Sequence, residues 1–235
     1  MSDAERGHVE RVVRAREAAR RPTGTWAAKR ELAAALRELL ARLPTTAAPE
    51  EALRALEAPV REAAEHFAAA GRAAPRVGEQ RPPLYAGMEY FHDTGPLVGL
   101  SNAIAPPLEF EIDAEARVVR GRGRFGVAYE GAPGILHGGF LAAAFDELLG
   151  IATVFSGGPG MTRELRVRYL RPTPIDVDVA FVGRLDGASG RELHVSGEVA
   201  AAGERTAEAA GVFIAVGGEK FVALARQRRE RLGGR

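Results

Sequence analysis

Apolar and polar residues change their spacing near the middle of the chain. From Trp26 to Leu43 the apolar positions are Trp26, Leu32, Leu36, Leu39, Leu40 and Leu43, one stripe at helical spacing that Pro44 ends. A second helix is expected from Pro49, Glu50 and Glu51, residue types suited to a first turn. Leu53, Leu56, Val60 and Phe67 form its stripe, Pro59 is expected to kink it, and Gly71 suits its end. The simplest reading is a helical hairpin that packs on the rest of the chain or on a partner subunit. Gly71 to Pro107 is rich in Gly and Pro and reads as a linker, with a short strand expected near Leu97 to Leu100.

Beyond it the period falls to two. Leu108, Phe110 and Ile112 alternate with Glu109, Glu111 and Asp113, and Arg117 to Phe125 reads as a second strand. Phe140 to Phe155 is apolar on nearly every side, the pattern of a buried helix. Alternation returns in Thr162 to Tyr169, with Leu165, Val167 and Tyr169 on one face and Thr162, Glu164, Arg166 and Arg168 on the other. Strands follow around Val177 to Leu185, Leu193 to Val199 and Thr206 to Val216, with Asp186-Gly187 and Ala202-Gly203 as hairpin turns. One long helix with antiparallel strands gives an α+β domain whose helix covers a sheet face. The expected divisions are a helical N-terminal extension (1–75), a linker (76–104), the strand-rich domain (105–217) and a basic tail (218–235).

Composition narrows the function classes. The 235 residues hold 32 basic and 31 acidic groups, so bulk charge points to no nucleic-acid partner. Absence of Cys removes disulfides, zinc-thiolate sites and a Cys nucleophile. The charged Met1 to Arg21 does not read as a secretory signal, and no membrane span is expected, which makes a cytoplasmic protein the default. The histidines have no metal-ligand spacing, and no cofactor is expected. His92-Asp93, in the linker, is a minor candidate pair.

The chemistry concentrates between His137 and Glu147. His137-Gly138-Gly139 opens the apolar helix, where the first amides lack intrahelical acceptors and the helix dipole is positive. With no side chains at Gly138 and Gly139, an oxygen gaining negative charge can approach those N–H groups. His137 is expected to orient the turn or add a hydrogen bond. Asp146 and Glu147 are carboxylates in an otherwise apolar helix, which is costly unless they are paired or used.

His137-Gly138-Gly139, then Asp146-Glu147, Met161-Thr162 and Arg166-Val167-Arg168-Tyr169-Leu170-Arg171-Pro172 together resemble the hotdog-fold acyl-CoA thioesterases of the phenylacetate-pathway and THEM (4-hydroxybenzoyl-CoA thioesterase-like) type. The resemblance covers roughly residues 105–216. It implies an antiparallel sheet wrapped around one long helix, a dimer or dimer of dimers, and metal-free hydrolysis of an acyl-CoA to free acid and CoA. By the same resemblance Asp146 is the general base or nucleophile, the Gly138 N–H polarises the thioester carbonyl, and Thr162 helps hold the water. Many members carry Asn or Gln about six residues before the histidine, where this chain has Gly131.

From Gly138 to Asp146 is ~12 Å along a helix. One carbonyl therefore cannot touch both groups of the same helix, and a site at a two-fold interface is expected. Arg166 or Arg168 is expected to contact the CoA phosphates, with Gly139 as a further substrate contact. A non-catalytic acyl-CoA or acyl-ligand binding module on the same fold is the alternative.

Overall fold

The computed structural model describes residues 1–19, 24–71 and 93–217, together with residues 223, 227 and 230. The tail beyond 217 thus lies largely outside the described residues, as does His92.

Among the described residues three helices precede the strands: α1 (Asp3–Ala19), α2 (Thr25–Arg42) and α3 (Glu50–Ala69). Then come β1 (Glu109–Asp113), β2 (Val118–Arg124), helix α4 (Gly138–Ala152), β3 (Gly160–Tyr169), β4 (Asp178–Ser189), β5 (Glu192–Ala201) and β6 (Glu204–Ala215). The strands form one antiparallel sheet in the order β1-β2-β4-β5-β6-β3. The fold is the expected α+β hotdog arrangement.

Helix α4 lies against the concave face, where Leu141, Ala144, Phe145, Leu148, Leu149, Ile151 and Ala152 are buried. Gly183 of β4 and Gly197 of β5 are paired across the ladder beneath it. A Cβ at Gly183 would stand 2.8 Å from Leu148 Cγ, so the missing side chains let the helix seat closely. The stretch Gly138–Ser156 is long and apolar enough to cross a bilayer, yet here it is this core helix.

Helix α1 joins the same core. Ser2 and Glu5 cap it reciprocally, Ser2 N–H donating to Glu5 and Glu5 N–H to the Ser2 hydroxyl. Val9 and Val12 are buried in the main cluster, against the turn Thr153–Ser156 that ends α4. His8 is 3% exposed on this helix, and burial, with Arg11 adding a smaller effect, holds its imidazole below the usual 6.5. The unfolded chain then binds more protons than the fold, so stability is lost as pH falls through about 6.5. Melting midpoints should drop between about pH 7.5 and about pH 5.5, and His8→Leu should flatten the drop. An equal drop in the variant would assign the effect to other groups.

Three expectations need correction. Leu97 to Leu100 is not a strand. Gly95, Pro96 and Gly99 bend it into turns closed by Gly99 N–H to Gly95 O (3.1 Å) and Ser101 N–H to Asp93 O (2.9 Å). Asp186-Gly187 is not a hairpin turn: it lies inside β4 at a bulge, and the chain reverses at Gly190 (φ 60°) instead. Ala202-Gly203 is a turn as expected, with both residues at positive φ. Finally, Thr162 does not share a face with Arg166 and Arg168. The register shifts between Thr162 and Glu164, and this bulge turns Thr162 to the helix side.

Candidate active site

The approach to α4 is pinned residue by residue. Leu136 N–H donates to Thr173 O (2.8 Å), Ile175 N–H to Gly134 O (3.0 Å) and His137 N–H to Tyr129 O (2.9 Å). Gly131 sits under the histidine. A Cβ there would lie 3.0 Å from His137 Cα and 3.2 Å from its Cβ, so any side chain would push His137 by a few tenths of an ångström. Gly131 thus lets the histidine pack directly on the backbone beneath it.

His137 caps the helix, its extended backbone (φ −61°, ψ 125°) letting Nδ1 accept from Gly139 N–H at 3.0 Å. Nδ1 being an acceptor, the neutral ring carries its proton on Nε2. The His137 carbonyl takes the Phe140 and Leu141 amides at 3.0 and 3.3 Å. Of the first amides, only that of Gly138 is left without an acceptor among the described residues. The two glycines are therefore not equivalent: Gly139 spends its N–H on the cap, while that of Gly138 has no acceptor among the described residues.

Tyr169, at the far end of β3, closes over this turn. Its hydroxyl donates to Gly138 O at 2.8 Å, and its ring would stand 3.3 Å from a Cβ at Gly138. Phe140 lies edge-on to Tyr129 (5.1 Å between centroids) and 6.2 Å from the His137 ring.

The acid lies two turns further along α4. Asp146 is exposed and its Oδ1 accepts from the Thr162 hydroxyl at 2.7 Å. Glu147 is half-buried. One chain therefore brings together Asp146 with Thr162, and His137 with Gly138 and Tyr169, but not the two groups with each other. Between their ends runs β3, which among the described residues is hydrogen-bonded to β6 on one side only, a ten-residue sheet edge.

Arg166 and Arg168 stand apart from both groups, on the convex face of the sheet. Arg166 pairs with Glu164 and Arg168 with Glu208, each at 3.0 Å. They line a shallow groove of about 370 Å³ with Arg184, Arg205, Glu198 and Glu208. Among the described residues no three acidic or imidazole groups are gathered as metal ligands. Asp93 is a buried structural hub rather than a catalytic acid: its carboxylate accepts from Trp26 Nε1, the Arg30 guanidinium and the Ser101 hydroxyl. These bonds fasten α2 to the turns that follow Asp93.

The family model described as the thioesterase superfamily matches residues 133–208. Acyl-coenzyme A thioesterase THEM4 of Bos taurus is 40% identical over 93 residues, which is 39% of this chain and 38% of that protein. The Mus musculus protein of the same name is 34% identical over 97 residues, 40% and 42% of the two chains. The chain thus spans about two fifths of the length of these curated relatives. A crystal structure of a thioesterase superfamily protein matches with a TM-score of 0.70 at 28% identity, over 83% of this chain and 97% of that one. Its coverage takes in helical extension as well as sheet. Residues 133–208 thus match the thioesterase superfamily model, and together with the strands that complete their sheet they have the hotdog fold.

Proposed function

We propose that the protein hydrolyses acyl-CoA thioesters to a free acid and CoA, at sites made between two copies of the chain. The observation that carries this is the split between the two halves of the site. Gly138 offers an N–H to a carbonyl oxygen and Asp146, held by Thr162, offers a carboxylate to water or to the carbonyl carbon. They are ~12 Å apart on one helix, too far for one thioester. Pairing the free β3 edges about a two-fold axis supplies the missing half from the partner, with two equivalent sites per dimer.

In this arrangement the Gly138 amide stabilises the oxygen as it gains charge. Asp146 removes a proton from water, or attacks directly to give an anhydride that water then opens. Either route releases CoA as its thiolate and needs no metal. Beside Gly138, the exposed Phe140 lies edge-on to Tyr129, whose hydroxyl donates to the carbonyl of exposed Ile104 at 3.0 Å. This apolar strip suits a hydrocarbon or aromatic acyl group. Arg166, Arg168 and Arg184 supply positive charge for the CoA phosphates from the convex face.

The test is a panel of acyl-CoAs of rising chain length, read by release of free thiol. CoA release is expected, with kcat/KM rising as the acyl group gains apolar surface. Binding without release from any member would favour the acyl-ligand module, the reading that Gly131 supports because it brings no amide side chain to the water.

A further inference from the structure

We infer that Tyr169 is a positioning residue, one that fixes the direction of the Gly138 N–H by holding the peptide next to it. The inference rests on the proposed role of Gly138. An oxyanion donor works only when it is already aimed at the place where charge develops. Two successive glycines are a poor means to that end. They admit a substrate oxygen closely, but they are also the residues with the widest choice of φ and ψ. Something outside the glycines has to hold them.

The peptide joining Gly138 to Gly139 is gripped at both ends. Its N–H donates to His137 Nδ1 at 3.0 Å. Its carbonyl accepts from the Tyr169 hydroxyl at 2.8 Å. With that peptide plane fixed on both sides, the Gly138 torsions have little freedom, and the amide on the other side of its Cα points one way. The Tyr169 ring fills the space a side chain at Gly138 would take, 3.3 Å from where its Cβ would stand. His137 grips from within the turn, whereas Tyr169 grips from β3. The strand that offers its edge to a partner is thus the strand that sets the oxyanion donor, which couples assembly to catalytic geometry.

Tyr169→Phe keeps the ring over Gly138 and removes only the hydroxyl. Loss of one such hydrogen bond should lower kcat about three- to tenfold while KM stays within about twofold, since the ground-state carbonyl gains less from the aimed amide than the transition state does. Amide exchange at Gly138 and Gly139 should quicken several-fold in the variant, with melting midpoint and oligomer mass unchanged. A kcat and exchange both equal to wild type would overturn the inference. So would a rise in KM alone, which would make the hydroxyl a substrate contact. If the wild-type chain releases no CoA, the hydrolysis reading fails by itself, and amide exchange alone decides whether Tyr169 holds the turn.

Discussion

Asp146→Asn should lower kcat for acyl-CoA hydrolysis by about three orders of magnitude with little change in stability. The substitution preserves size and leaves a carbonyl oxygen that accepts from Thr162, so the 2.7 Å contact survives. What it removes is the capacity to take a proton or to attack a carbonyl carbon. Because Asp146 is exposed, neither form of the side chain carries a large burial cost in the single chain. The melting midpoint and the oligomer mass should both match wild type. Steady-state rates with a free-thiol readout check the prediction. A variant within about tenfold of wild type would move the general base elsewhere, with half-buried Glu147 the next carboxylate on the helix. Thr162→Ala should sit between the two, because it frees the carboxylate to rotate without removing it.

The sheet and its helix were legible because both repeat. A period of two over five or more residues has few readings other than a strand, and an apolar helix with two carboxylates stands out from an amphipathic one. What repeats poorly was misread. The bulge at Arg163 inserts one residue in β3, and alternation counted from Tyr169 then assigns Thr162 to the wrong face. The same device in β4 moved the reversal from Asp186-Gly187 to Gly190. Helix α1 falls inside the extension read as helical, but its charges gave no apolar stripe to bound it; Ser2 and Glu5 at capping-box spacing, followed by Val9 and Val12, mark it. Of the site, His137, Gly138 and Asp146 were readable as a motif. Tyr169 was not. In sequence it is one more inward position of a strand, and only the packing of β3 along α4 brings its hydroxyl to Gly138. The stripes of α2 and α3 were also readable, but not their fate. Leu43, Leu56, Val60 and Phe67 are more than half exposed, and among the described residues α3 buries none of its own.

Mixing two inactive chains should restore activity if each site draws on both copies. Gly138→Pro is the suitable partner for Asp146→Asn. Proline is well tolerated at the first helical position and lacks the N–H, and His137 already has the extended ψ of 125° that a following proline prefers. Its ring meets the Tyr169 side chain, which has an exposed edge along which to move. Alone, Gly138→Pro should lose about 10²- to 10³-fold in kcat, the loss that follows removal of one oxyanion donor. Refolded together in equal amounts, about half the dimers are mixed, and each mixed dimer has one site with both lesions and one with neither. Activity should therefore return to about a quarter of wild type, far above either parent. If Gly138 and Asp146 of the same chain served one site, every site in the mixture would carry a lesion and nothing would return. Recovery would show that a second copy of the chain closes the ~12 Å of helix between Gly138 and Asp146.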